Sequence, residues 1–211
     1  MHFDAVLGPD QVVAERPFTD VCNTQRDLEI MRTMLALERA RAEEWASSSL
    51  PDGRQRVIRG ADDQGRRQLL AIPDVERLLS AGDTTAVGFF ATPRAVDHTV
   101  LFELEDELVE RMPVYAELGL LSYFDLEMGE GRYGNLILFA TPDVPEAWHA
   151  DPLHRRAVEN SPHHYWSVRL HKGSVAGPFQ GGEIRLERTK YFDFATDKTW
   201  QGIREFDPAV Q

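Results

Sequence analysis

Five of the seven histidines fall between positions 149 and 171: His149, His154, His163, His164 and His171. Imidazole titrates near neutral pH and is the commonest metal ligand, so such a cluster points to metal ligation or proton transfer. His163 and His164 are neighbours and rarely would both point the same way; one could ligate an ion, and His163 is the preferred member. His149 and His154 lie five apart around Pro152, which misses the i, i+4 alignment of two helical ligands, so a zinc pair is not expected there. His149, beside Trp148, suits the mouth of a cavity. The run His154-Arg155-Arg156 reads as a solvated basic patch.

Other residue types add candidates. In Tyr165 to His171 the period of two puts Trp166, Val168 and Leu170 on one face and Ser167, Arg169 and His171 on the other. Arg169 offers a planar fork, so with His171 it could bind a carboxylate, or both could pair with Glu or Asp across the sheet. His98 opens a helix, where a neutral imidazole suits a general-base role or a cap. Tyr123, Asn135 and Trp148 are the further residues placed around a cavity. Arg54, Arg56, Arg59, Arg66 and Arg67 form the one basic concentration, able to hold an anion or to offset Asp62 and Asp63. Cys22 reads as a buried thiol and excludes an intramolecular disulfide or a multi-cysteine metal site. The serine-hydrolase elbow, phosphate-binding loop, dinucleotide turn and zincin helix are all missing from the sequence.

These residues need elements to hold them. Residues 1–22 read as an extended arm. Asn23 or Thr24 caps an amphipathic helix over Arg26 to Trp45, with Leu28, Met31, Met34, Leu35 and Leu37 on one stripe. Arg54 to Arg59 and Arg66 to Ile72 form a hairpin, and Val75 to Ser80 a short helix. Thr84 to Thr92 is a strand apolar enough to be buried on both faces. Asp97 to Glu117 is a helix stopped by Gly119, with Leu101, Leu104, Leu108 and Met112 inward. Leu120 to Met128 and Tyr133 to Ala140 pair as a hairpin. Pro145 to Glu159 is a helix kinked at Pro152, which Ser161-Pro162 ends before the histidine pair. Tyr165 to His171 closes the unit, and Gly181 to Phe194 adds an edge strand. The order β-α-β-β-α-β is the split βαβ unit of a ferredoxin-like α+β fold, a four-stranded antiparallel sheet with both helices on one face. Residues 1–82 would be an arm, helix and hairpin extension on the core, 83–176 the core, and 177–211 a C-terminal strand and tail.

With 211 residues, 42% apolar and 27% charged, the chain should fold around one core. A net charge of −12 repels phosphate backbones and anionic lipid, so neither nucleic acid nor membrane is an expected partner. No apolar run approaches the ~20 residues of a membrane span and the N-terminus lacks a signal-peptide pattern, which leads to an expectation of cytoplasmic location.

Residues 84–175 resemble the dimeric α+β barrel superfamily of antibiotic-biosynthesis-type monooxygenases, haem-degrading monooxygenases and the chlorite dismutase group. The likeness lies in TTAVGFFAT, DHTVLFELEDELVERM, LLSYFDLEM with YGNLILFA, PEAWHADPLHRRAVEN and YWSVRLH. It implies a homodimer formed by two facing sheets, with a small-molecule substrate or haem between each sheet and its helices. By that likeness His163, or else His164, would be the axial haem ligand. Trp148, Tyr123, Asn135 and His171 would surround the cofactor, and His98 and Arg169 would position substrate or move protons. The implied activity is a haem-dependent oxidoreductase or lyase; a cofactor-independent monooxygenase or cyclase and a non-catalytic dimeric binding module are the alternatives.

Overall fold

The run beginning at Thr84 becomes the middle strand of one sheet. The structure, a computed structural model, describes residues 3–48, 55–129 and 132–207. In chain order the elements are β1 (Ala5–Leu7), α1 (Val21–Ala46), β2 (Arg56–Ala61), β3 (Arg67–Ile72), α2 (Val75–Leu79), β4 (Thr84–Pro93), α3 (Thr99–Glu110) and α4 (Met112–Leu118). Then follow β5 (Leu120–Glu127), β6 (Tyr133–Phe139), α5 (Val144–Ala150), α6 (Pro152–His164), β7 (Tyr165–Ala176), β8 (Glu183–Asp193) and β9 (Trp200–Glu205).

Among the described residues the fold is α+β with nine strands in one sheet, in the order β1-β9-β8-β7-β4-β6-β5-β3-β2. Every neighbouring pair is antiparallel except β1 with β9. This corrects the expected four-stranded sheet. The unpaired backbone groups at the outer edges of β5 and β7 recruit further strands, as exposed edges do. β3 joins β5 and carries β2 beyond it; β8, β9 and β1 extend the other side. β8 is therefore an interior strand, and the arm and tail supply β1 and β9, neither of which the sequence reading anticipated. Arg204, fully buried on β9, holds the arm by donating to the carbonyls of Gly8 and Gln11 and, at 3.0 Å, of Thr19.

The helices cover both faces, not one. Helix α1 lies on the first face, where Met31, Met34, Leu35 and Ala42 pack on Ala86, Phe90, Phe124, Leu136 and Leu138. Its approach is close: a Cβ on Gly88 would lie 2.6 Å from Met31 Sδ. Its cap is Asp20, which accepts from the Cys22 N–H at 2.9 Å, rather than Asn23 or Thr24. Cys22 is consequently exposed, not buried. Arg54 lies outside the described residues.

On the second face sit α3 to α6, with Leu104, Leu108, Val109 and Met112 against Leu69, Ala71, Ile137 and Phe139. The expected single helix over Asp97 to Glu117 breaks at Arg111, because Pro113 has no N–H to continue the ladder. Gly119 ends α4 at φ 114°, a left-handed cap that glycine adopts without penalty. The next helix restarts at Pro152, where Asp151 accepts from the N–H of Leu153 at 2.8 Å. It then runs through Pro162 to His164, past the predicted stop. The single bond lost at Pro162 is offset at the last turn by the Tyr165 N–H to Ser161 and by the Arg94 N–H donating to the His164 carbonyl at 2.8 Å. No helix among the described residues is long and apolar enough to cross a membrane.

Candidate functional site

Between the second face of the sheet and α3, α5 and α6 lies a cavity of about 820 Å³. Alternation along the strands makes its floor: Val87 and Phe89 of β4, Ile137 and Phe139 of β6 and Leu170 of β7 point in, while their sequence neighbours pack under α1. Leu101, Phe102, Leu104 and Leu108 of α3 and Trp148 of α5 form the wall. The result is an apolar chamber with polar groups gathered at its ends, the usual build of a small-molecule site.

At one end a closed ring of hydrogen bonds joins five side chains. Arg67 donates to Asp125 at 2.7 Å and to Glu105. The Tyr123 hydroxyl donates to Glu105 Oε1 at 3.1 Å. Asn135 Nδ2 donates to the Tyr123 oxygen at 3.1 Å and to Asp125 Oδ1 at 2.5 Å. The rings of Phe102 and Tyr133 flank the Arg67 guanidinium, with its carbon 4.4 Å and 5.9 Å from their centroids. Glu105, Tyr123 and Asp125 are buried. Burial, with the charge of Glu105 behind it, pushes the Asp125 carboxyl well above the usual carboxylate range, against the pull of Arg67 and Asn135. Burial likewise raises the Tyr123 hydroxyl, which stays protonated.

Tyr123, Asn135 and Trp148 all line the cavity. Trp148 Nε1 is buried there without a hydrogen-bond partner, a donor left over for something else. His154, read as solvated, is instead half-buried on the cavity wall, its ring centroid 5.4 Å from that of Trp148 and 4.9 Å from that of His149. Burial takes its pKa down to about 4, helped by His149. His149 stands beside it on the rim and is also pulled down by burial and by Lys190.

The remaining candidates move elsewhere. His163 is exposed and off the cavity, so it faces solvent and not a cofactor there. His164 is buried, but its Nδ1 meets His98 Nδ1 at 3.2 Å at the junction of α6 with α3. The Nε2 of His98 is 3.1 Å from the Arg94 carbonyl, so it must donate; His98 Nδ1 then accepts from His164 when both rings are neutral. His98 borders the cavity with both nitrogens already engaged, which leaves no free nitrogen for a general base.

Arg169 and His171 bond to partners on the first face, under α1, although His171 also borders the cavity. Arg169 forks onto Asp27 at 2.5 Å and 2.9 Å. His171 Nε2 lies 2.9 Å from Asp27 and its Nδ1 2.7 Å from the Thr189 hydroxyl. Burial opposes the charge of Asp27, yet the bonds from His171 and Arg169 hold its pKa below the ordinary value. The Thr-His-Asp chain has the connectivity of a nucleophile relay, but Thr189 and His171 are fully buried, so no substrate reaches the hydroxyl. Both residues do pair with an acid, but it is Asp27 of α1 and not a partner across the sheet. A second hollow of about 680 Å³ flanks this network, near Arg26, Asn23 and Met128. Of the hairpin arginines, Arg66 binds Asp62 at 2.6 Å and Arg59 binds Asp106 at 2.5 Å, while Arg67 turns inward.

Sequence reasoning named Arg67 only as one of a basic group able to hold an anion, and passed over Glu105 and Asp125. Glu105 carried a signal: it falls on the stripe of Leu101, Leu104, Leu108 and Met112, where a carboxylate has no business unless it is paired. Asp125 shares its face of β5 with Tyr123 and Glu127, so no break in an apolar pattern marked it. No group of three or more His, Cys, Asp or Glu side chains among the described residues is arranged to hold a metal ion. No protein-family model, curated protein or solved structure matches the chain.

Proposed function

We propose that this chain is an enzyme that takes an apolar, carbonyl-bearing small molecule into the large cavity and moves a proton on it without a resident cofactor. The observation that carries the reading is the pair of buried carboxyls, Glu105 and Asp125, sharing the one cation Arg67 at the end of an apolar chamber. With both ionised the trio would bear one negative charge away from water; one proton neutralises it, and Asp125 is the carboxyl whose pKa is pushed up. An acid and a base then stand side by side, the arrangement that enolisation next to a carbonyl requires. Asp125 gives its proton to the carbonyl oxygen, and Glu105, held by Tyr123 and Arg67, receives the proton leaving the neighbouring carbon. Trp148 Nε1 is free to orient the ligand.

We read the antiparallel run β7-β4-β6-β5 as a ferredoxin-like unit inside the larger sheet; that reading, with a cavity between sheet and helices, supports kinship with the dimeric α+β barrel proteins. Helix α1 covers the face through which those proteins pair, so a homodimer of this chain would pair through another surface.

The test uses 2-tetralone, an apolar cyclic ketone, in D2O with NMR detection of α-hydrogen exchange. The protein should accelerate exchange, and Asp125→Asn should lower the acceleration by roughly 10²–10⁴-fold while the ketone still binds. Exchange at the buffer rate with saturating protein would sink the reading.

A second reading, haem in the same cavity, is favoured by His154, which faces the chamber with no hydrogen-bond partner on its ring and is neutral above a pKa of about 4. The histidines first expected to ligate, His163 and His164, do not fit that cavity. Bound haem would supply the redox centre. Added haemin should then give a Soret band that His154→Ala abolishes and His163→Ala leaves intact; an unshifted free-haemin spectrum excludes it.

A further inference from the structure

The cavity has a second polar end. Register across the sheet sets out two rows on the cavity face. One runs Asp125, Asn135, Phe89, Leu170, Lys190 and the other Tyr123, Ile137, Val87, Lys172, Arg188. The acid ring thus sits at one end of each row and a cation at the other. Three to four strand spacings separate them, or roughly 14–19 Å between backbones. Lys172, Arg188 and Lys190 all line the cavity and are half-buried.

Such a triad is costly unless it has a purpose. Lys172 and Arg188 are direct cross-strand partners, and like charges placed opposite repel. Arg188 Nε is buried with no hydrogen-bond partner. Two carboxylates stand near: Glu205, register partner of Arg188, and Glu146 on α5, both exposed. Three cations thus gather on one wall of the cavity in a chain whose net charge is −12. Burial, and then the charges of Arg188 and Lys172, lower the Lys190 pKa, as expected where cations lie close together.

We infer that Lys172, Arg188 and Lys190 form a subsite for the anionic headgroup of the ligand, so that the cavity takes an elongated organic anion. Its charged end lies on the triad, its apolar body lies over Val87, Phe89 and Leu170, and its reactive end lies at Asp125. The inference rests on the cavity being the ligand site, as proposed above.

The test is a fluorescence titration with two probes of shared ring structure, anionic 8-anilinonaphthalene-1-sulfonate and neutral N-phenyl-1-naphthylamine. Wild-type protein should favour the anionic probe. Lys172→Gln and Arg188→Gln should each weaken it about tenfold, the worth of one charge-assisted hydrogen bond, and leave the neutral probe unchanged. Both variants relieve repulsion, so their melting temperatures should hold or rise, which separates lost binding from lost folding. If both probes bind but neither variant discriminates between them, the subsite is wrong and the cavity reading stands. If neither probe binds, or if Val87→Trp, which fills the floor, leaves binding untouched, the cavity reading itself fails and takes the subsite with it. Decanoate and decyl phosphate as competitors distinguish carboxylate from phosphate: displacement by either supports the subsite, and displacement by neither counts against it.

Discussion

The Tyr123 hydroxyl donates to Glu105 Oε1 at 3.1 Å and so ties the inner face of β5 to α3. It also accepts from Asn135, which makes it the one member of the ring that both gives and receives. Tyr123→Phe leaves a carboxylate oxygen and an amide N–H buried without partners. A stability loss of about 1–3 kcal/mol is expected from urea unfolding. Adding Glu105→Leu to that variant should recover part of the loss if the hydrogen bond is its cause, as a double-mutant cycle would read out.

Glu38 of α1 is fully buried, with the Ser122 hydroxyl near its carboxyl but no well-formed hydrogen bond to either oxygen. Burial raises its pKa from 4.5 to about 8, against the opposing pull of Ser122 and Arg39. The folded state therefore keeps a proton that the unfolded chain gives up near pH 4.5. Its contribution to stability is largest below that pH and declines as pH rises through about 8. At pH 7 the cost is on the order of 3 kcal/mol. Glu38→Leu should raise the melting temperature at pH 8 and flatten the pH dependence between 5 and 8; an unchanged slope would show that another group sets it.

His154 works in the opposite direction. Burial and the neighbouring His149 lower its pKa from 6.5 to about 4, while Asp151 resists. The unfolded chain takes up this proton first as pH falls, so the stability linked to His154 is complete above about 6.5 and is lost as pH drops through about 4. His154→Phe keeps the tilted ring contact with Trp148 and should unfold less steeply in acid. Imidazole NMR shifts titrating near 6.5 in the native protein would contradict this.

Asp27→Ala strands the guanidinium of Arg169 and the ring of His171 beneath α1. Removing one partner of a buried ion pair typically costs about 3–5 kcal/mol. Denaturant unfolding should show a loss of that size, with Asp27→Asn milder because the amide can still accept one bond.

Gly173 sits where β7 and β8 shift register, and a Cβ there would lie 2.1 Å from the Arg185 carbonyl oxygen. Backbone cannot yield as a side chain does, so Gly173→Ala should abolish folding or lower the melting temperature sharply. Gly181→Ala, with nothing within 4 Å of the new methyl, is the matched control and should be neutral.

Much of the fold was legible because it depends on periodicity. The helix carrying Met31, Met34 and Leu35, the strand from Thr84, the hairpin from Leu120 and the alternation of Val168 to His171 all follow from which positions are apolar. The same stripes held the signals that were missed. Asp27 and Glu38 occupy the inward stripe of α1, and Glu105 that of α3. A lone charge on such a stripe must find a partner, lose its ionisation, or serve a site. The five clustered histidines drew attention instead, but clustering along the chain is not convergence in space. His163 faces water, His164 binds His98, His171 borders the chamber but spends both ring nitrogens on Asp27 and Thr189, and His149 and His154 line it.

By itself, then, the sequence determined the elements and the faces they present, because helix and strand periods are local properties of successive side chains. Tertiary structure decided what those faces meet. That β1 and β9 complete the sheet, that α1 closes its first face, and that Arg67 finds Glu105 and Asp125 at separations of 38 and 58 residues are all long-range contacts. No local pattern encodes such contacts; they form where the packed sheet brings unpaired edges, buried charges and their partners within reach.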